Sequence, residues 1–445
     1  MSTVRTRKTT RKTTGVVVSV LTVGSFALAG CSAGDGTTAA APQNSQDANA
    51  PVTINVDSFG GIFDGFKKAG LLADYKKLHP NVTVNYKEVQ QEADYWTALQ
   101  TKIQAGTGLA DIQPIEISRV SIVTQQQADK WVDLKSTGQA AHLADYPDWK
   151  NGAMTTSDGK VLGFGTDAGP MAICFRSDKL KAAGLPSTPE ALSARIKSFD
   201  DYEKVGLEYK AKTGKAWMDS AGGYYRVLTS VADEVNYDKS GKAVWTTNPV
   251  VRDSFNSSAR VAQEGLTAKL EQFSAPWNTA MNTGAFATIA CPAWMLGYIQ
   301  EKAGAANKGN WSVMPLPGGA AGNWGGSWLS IPKSSKNQAA AADLAAFMTS
   351  ADSEAKEFRA GIAFPSNAKA IDQISSVTNP YFPGAAIGQI FGEAAKKAPV
   401  QPFGIDDATI TTTLGQGLTS IENNKVAPDA AWATASKKIK DQIGS

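Results

Sequence analysis

The sequence predicts a mixed α/β protein whose leading folded segment is a parallel sheet covered by helices. Three observations carry this. Short β-branched runs alternate with stretches of helical spacing between residues 52 and 117. From Lys179 onward the texture turns helical, with Gly-rich breaks at Gly318-Gly319 and Gly325-Gly326. Apolar residues make up 42% of the 445-residue chain and charged ones 19%, so a sizeable core can form. A strand–helix–strand–helix–strand order is the pattern of a parallel sheet with helices on its faces. Right-handed crossovers place the strand ends along one edge, the usual place for a ligand.

Val52-Thr-Ile-Asn-Val56 alternates toward strand and is broken by Gly60-Gly61. Phe66 to Leu78 has apolar residues at helical spacing and stops before Pro80. Val82 to Tyr86 reads as a second strand, Glu92 to Ala105 as a helix closing at Gly106, and Asp111 to Ile117 as a third strand. Val250 to Gly265 and Gln338 to Thr349 are further helices. There is no internal repeat and no long charge run.

The N-terminus reads as an address. Residues 1–14 carry Arg5, Arg7, Lys8, Arg11 and Lys12 and no acid, and an apolar run follows from Gly15 to Gly30. That run is short for a membrane span, and its basic front is that of an export signal. It ends in Leu28-Ala29-Gly30-Cys31, which resembles a bacterial lipobox. The reading is therefore a signal peptide over 1–30, lipidation of Cys31, and a flexible tether to residue 50 poor in large side chains. Cleavage would leave 39 basic residues against 41 acidic, so the calculated excess of +3 belongs to the discarded segment.

Composition also excludes chemistries. The near-balance of charge gives no reason to expect nucleic-acid binding. Only His79 and His142 exist, so most metal-hydrolase and histidine-base mechanisms lack parts. No metal site and no cofactor is expected. There is no phosphate loop and no nucleophile elbow. Gly163-x-Gly165-x-x-Ala168 matches a loose dinucleotide fingerprint, but Pro170 follows and the next residues look extended. Cys174 and Cys291 lie in strand-like apolar contexts. An exported chain with an even count permits a disulfide between them; two buried thiols are the alternative.

The tryptophans stand out. Five of eleven lie between 277 and 328. Trp311 sits in an alternating strand pattern and is assigned to packing. Trp277 follows Pro276, Trp294 follows Cys291-Pro292-Ala293, and Trp324 precedes Gly325-Gly326, all in broken, loop-like contexts. An indole face complements the C–H face of a pyranose, and stacking removes roughly 50 Å² of apolar surface, on the order of 1 kcal/mol.

Five stretches together resemble the extracellular solute-binding lipoproteins of ABC sugar importers, the maltose-binding-protein-like family. They are Gly106-Thr-Gly-Leu-Ala-Asp111 through Glu116, Asp158-Gly-Lys-Val-Leu-Gly-Phe-Gly-Thr-Asp167 through Pro170, Phe175-Arg-Ser-Asp-Lys-Leu through Pro186, Gly325-Gly-Ser-Trp-Leu-Ser-Ile-Pro332, and Phe364-Pro365-Ser366. The family's usual aromatic pair before Arg176 is here Cys174-Phe175, tied to a Cys174–Cys291 bridge similar to those of actinobacterial members. The tail from Asn379 to Gly404 looks like members handling cellobiose.

The resemblance implies a two-lobe, periplasmic-binding-protein-like (Venus-flytrap) α/β fold with hinge strands. It places 51–167 and 306–364 in one lobe and 168–305 and 365–445 in the other, with crossings near 167–174, 302–311 and 364–367. It implies a monomer on the outer face of the cytoplasmic membrane that captures a mono- to oligosaccharide and passes it to membrane permease subunits, without catalysis. The expected ligand contacts are stacking by Trp277, Trp294 and Trp324, hydroxyl acceptance by Glu116 and Asp167, and close backbone approach at Gly325 and Gly326. Phe59 and Tyr381 are secondary candidates. An exported carbohydrate-active enzyme and a binder of a non-sugar solute are the competing readings.

Overall fold

The first strand, β1 (Val52–Phe59), pairs in parallel with β2 (Val82–Val89), from Val52 opposite Val82 to Phe59 opposite Val89. The computed structural model describes residues 50–444. The expected signal peptide, Cys31 and nearly all of the tether lie outside the described residues. Between β1 and β2 the sequence reads as one helix, but there are two, Ile62–Lys68 and Leu71–Leu78. Gly70, at φ 80°, turns the chain between them in a conformation few other residues accept. The helix Glu92–Ala105 ends where expected, at Gly106 with φ 67°.

β3 (Gln113–Glu116) departs from the parallel expectation. Its neighbour Ile112 bridges Val56 in parallel, but β3 itself pairs antiparallel with β9 (Ser327–Ser330). β9 also pairs antiparallel with β4 (Phe164–Gly165). Strands more than two hundred residues apart therefore complete the first lobe's sheet, a pairing no local periodicity encodes.

The second lobe is built on a four-stranded sheet in the order β6 (Ala216–Met218), β7 (Phe286–Pro292), β5 (Met171–Arg176), β8 (Trp311–Pro315). β5 is buried at every position, as is β7, so both read as continuous apolar runs. Cys174 and Cys291 are joined by a disulfide across this β5–β7 pair, with Cα atoms 5.4 Å apart. β8 pairs with β5, so Trp311–Pro315 lies in the same sheet as β5 and β7. The alternation of Trp311-Ser-Val-Met suits either sheet, and only the long-range pairing decides.

Three segments join the lobes: 166–170, 316–326 and 360–367. They are stitched by isolated bridges, Ala168 to Phe364 and Pro170 to Asn323. Lys150, fully buried, lies where they meet. Its Nζ donates to the Asp167 carbonyl at 2.6 Å and sits 3.6 Å from the centroid of the Trp328 ring. Burial lowers its pKa to about 8. The buried Glu354 carboxylate accepts from Asn367 N and Ser366 Oγ on the third crossing, and burial holds it well above the usual carboxylate range.

A hinge-edge site of indoles and half-open carboxylates

Glu116 is the last residue of β3 and stands opposite Ser327 of β9. One carboxylate oxygen accepts from Ser118 N at 2.7 Å and from Ser118 Oγ. The other has no hydrogen-bond partner among the described residues. Burial pushes the group up to about 7; the Glu92 carboxylate adds to this and the Ser118 bonds oppose it. Asp167 leaves β4 beside it. Its Oδ1 accepts from Ser327 N at 2.8 Å and Thr166 Oγ1 at 2.6 Å, and its Oδ2 is likewise open among the described residues. Both carboxylates therefore keep an acceptor for a ligand hydroxyl.

Gly325 and Gly326 carry this acidic edge to an aromatic one. Their φ values of 100° and 124° exclude most side chains. A Cβ on Gly326 would lie 3.1 Å from the Asp167 carbonyl oxygen, and one on Gly325 would lie 3.1 Å from Trp294 Nε1. Trp294 Nε1 donates to the Trp324 carbonyl at 2.9 Å, and the two rings meet edge to face at 5.4 Å. Both indoles are half-buried. Arg226 lays its guanidinium over the Trp324 ring, 5.2 Å from the centroid, with no hydrogen bond or ion pair among the described residues. Phe273 packs against Trp294 and Trp324 at 6.2 and 6.4 Å. On the first lobe, Arg119 lies over Trp96 at 5.2 Å and forks onto Glu92 at 3.0 and 2.9 Å.

Six of the nine expected contacts thus converge: Glu116, Asp167, Gly325, Gly326, Trp294 and Trp324. Trp277 does not belong with them. It is 0% exposed, and its Nε1 donates to the buried Asp219 at 2.8 Å. The Pro-Trp sequence opens a helix, Ala275–Thr283, whose inward face takes the ring. Phe59 is buried against Tyr95 at 5.1 Å. Tyr381 is buried beside Phe382 with its hydroxyl on the Gly304 carbonyl at 2.8 Å, away from this edge. Phe273 and Arg226 were missed. The argument applied to Trp277, an aromatic in a broken segment near Pro276, fits Phe273 better.

A cavity of about 580 Å³ opens on the other face of the hinge. In the extended crossing, alternate residues face opposite sides. A Cβ on Gly169 would strike the Trp324 carbonyl and Trp294 Nε1, so Asp167 and Gly169 face the carboxylates and indoles. Ala168 and Pro170 line the cavity instead, with Asn323, Trp149, Ile371 and Phe403. That cavity is largely apolar and lacks the open carboxylates, so the hinge-edge cluster is the candidate site.

The arrangement offers hydrogen-bond acceptors for hydroxyls at one end and flat apolar faces at the other. The chain is similar to known proteins. The chain is 26% identical to the lactose-binding protein of Rhizobium radiobacter over 281 residues, which is 60% of this chain and 63% of that protein. It is 22% identical to the arabinooligosaccharide-binding protein of Bacillus subtilis (strain 168), over 76% of each chain. A crystal structure of an extracellular solute-binding protein of family 1 superposes with a TM-score of 0.76 at 33% identity, covering 88% of this chain and 99% of that one. Residues 70–384 match the model of the bacterial extracellular solute-binding proteins, and with the two-lobe fold this places the chain in that family.

Proposed function

We propose that this chain is the sugar-capturing subunit of an ABC importer, holding a di- or oligosaccharide such as cellobiose at the hinge edge and delivering it to a membrane permease. One observation carries the reading: two carboxylates with open oxygens adjoin the half-buried Trp294–Trp324 pair through Gly325 and Gly326. Glu116 and Asp167 accept hydrogen bonds from sugar hydroxyls, the indoles stack on pyranose faces, and the glycines admit the sugar close to the backbone. The relatives named for lactose and arabinooligosaccharide support a carbohydrate ligand. Lobe boundaries follow strand membership: 51–167 and 324–364 in one lobe, 168–323 and 365–445 in the other. Sugar held by one lobe gains contacts from the other only on closure, so it shifts the hinge equilibrium. Lipidated Cys31 would anchor the exported monomer to the outer face of the cytoplasmic membrane.

The test is thermal shift of the mature, tag-free protein with cellobiose, lactose, maltose and arabino-oligosaccharides. A ligand at a hundredfold over its Kd stabilises by about 2.7 kcal/mol. A shift of several degrees for a β-linked disaccharide and none for maltose supports the reading. No shift with any carbohydrate overturns it. Because Glu116 and Asp167 both adjoin Ser327, the same incubations are chromatographed; cleaved sugar would favour an exported carbohydrate-active enzyme.

A further inference from the structure

The aromatic half of the site depends on one unusual loop. Three non-glycine residues among the described residues have positive φ, and two of them, Lys269 (58°) and Phe273 (66°), lie in this loop. A left-handed backbone is unfavourable for an L-residue and persists only where its surroundings over-determine it. Phe273 has such surroundings. Its ring meets Trp277 at 5.1 Å, Tyr298 at 5.8 Å, Trp294 at 6.2 Å and Trp324 at 6.4 Å. The loop backbone is tied down at both ends. Leu270 N donates to the Asp219 carbonyl at 3.3 Å, and Ser274 Oγ donates to the Glu271 carbonyl at 2.6 Å. Between them, Gln272 Nε2 donates at 2.9 Å to the same Asp219 Oδ2 that takes the Trp277 indole N–H. Asp219 is 1% exposed. Gly223 lets the neighbouring helix close over this junction: a Cβ there would lie 2.7 Å from Asp219 Oδ1 and 2.9 Å from Gln272 Nε2.

We propose that Phe273 is a ligand-facing member of the site, and that Asp219 and Gln272 are positioning residues that hold it in its left-handed conformation so that Trp294 and Trp324 keep one fixed shelf for a sugar ring. This rests on the sugar-binding reading and adds residues to it. Phe273 is half-buried, so part of its ring continues the shelf outward from Trp324. A single buried carboxylate thus sets both layers: Trp277 beneath, Phe273 above. Releasing Gln272 would let the loop relax to ordinary φ values and withdraw the ring, while the Asp219–Trp277 bond and the core stay intact.

Two variants test this, Gln272→Leu and Phe273→Ala, with whichever of cellobiose, lactose or maltose binds the wild-type protein as probe. Gln272→Leu is expected to weaken binding about tenfold, with melting in the absence of sugar within a few degrees of wild type. Both variants are expected to increase acrylamide quenching of tryptophan fluorescence without ligand, because Trp294 and Trp324 lose their neighbour. Binding within twofold of wild type in both variants, or unchanged quenching in both, overturns the proposal. If neither these three sugars nor arabino-oligosaccharides bind the wild type, the functional reading fails, and the quenching comparison still decides whether the loop positions the indoles.

Discussion

Replacing Trp277 by Phe separates the buried indole from the ligand-facing ones. The ring is 0% exposed, and its N–H is one of two side-chain donors to Asp219 Oδ2, at 2.8 Å. Phenylalanine retains a six-membered ring of similar packing but removes that donor. Loss of a hydrogen bond to a charged, buried partner costs about 1.5–3 kcal/mol. The smaller ring leaves unfilled space beside Phe273 and Tyr298, adding about 1 kcal/mol. The sum, about 2.5–4 kcal/mol, lowers a urea midpoint by about 1 M at a slope near 3 kcal/mol per molar. The assay is urea unfolding followed by far-UV circular dichroism without sugar. Should the variant unfold at the wild-type midpoint while losing sugar affinity, Trp277 would be a ligand platform and the assignment of the two layers would be wrong.

Replacing both Cys174 and Cys291 by Ala should lower stability by about 4–5 kcal/mol, since the bridge closes a loop of 117 residues in the unfolded chain; equal urea midpoints with and without reductant would refute this. Trp294→Ala and Trp324→Ala should each weaken sugar binding about tenfold in calorimetry, and because both rings pack against core residues the melting temperature without sugar should fall as well; unchanged affinity in both variants would contradict the stacking role. Stability should rise as pH falls from 7 to 5. Burial raises Asp219 and Asp407 from 3.8 to about 6, so the stability they contribute is complete below 3.8 and is lost as pH rises through 6. His142 opposes them, because burial lowers its pKa and its share is lost on acidification; urea midpoints at pH 5 and 7 decide the sign. Gly169→Ala should abolish folding or misalign the hinge, because its Cβ would lie 1.8 Å from the Trp324 carbonyl oxygen; a wild-type melting curve would contradict the close approach.

Much of the local structure was legible. The helix Glu92–Ala105 and its Gly106 terminus are encoded by spacing and by a residue that tolerates φ 67°. The helices Pro249–Gln263 and Gln338–Met348 match their apolar periods. The break at Gly70 was missed because apolar spacing runs through it, and a glycine inside such a run signals a turn only weakly. Much of the candidate site was also readable, because Glu116 ends β3, Asp167 lies just beyond β4, and Trp294 and Trp324 lie in broken segments. Arg226 was not, since helical spacing does not reveal which ring a guanidinium covers, and Phe273 was overlooked although it too lies in a broken segment near Pro276.

The sequence alone determined several of the helices and strands, which family the chain resembles, and that indoles and carboxylates are the groups available for a ligand. These properties depend on neighbours a few residues away or on composition. Only the tertiary structure decided that β8 joins the second sheet, that Trp277 turns inward while Trp294 and Trp324 stay half-exposed, and that Asp219 anchors the Phe273 loop. The physical reason is that an indole's fate is set by what packs against it, and those partners come from strands and helices that local pattern does not relate.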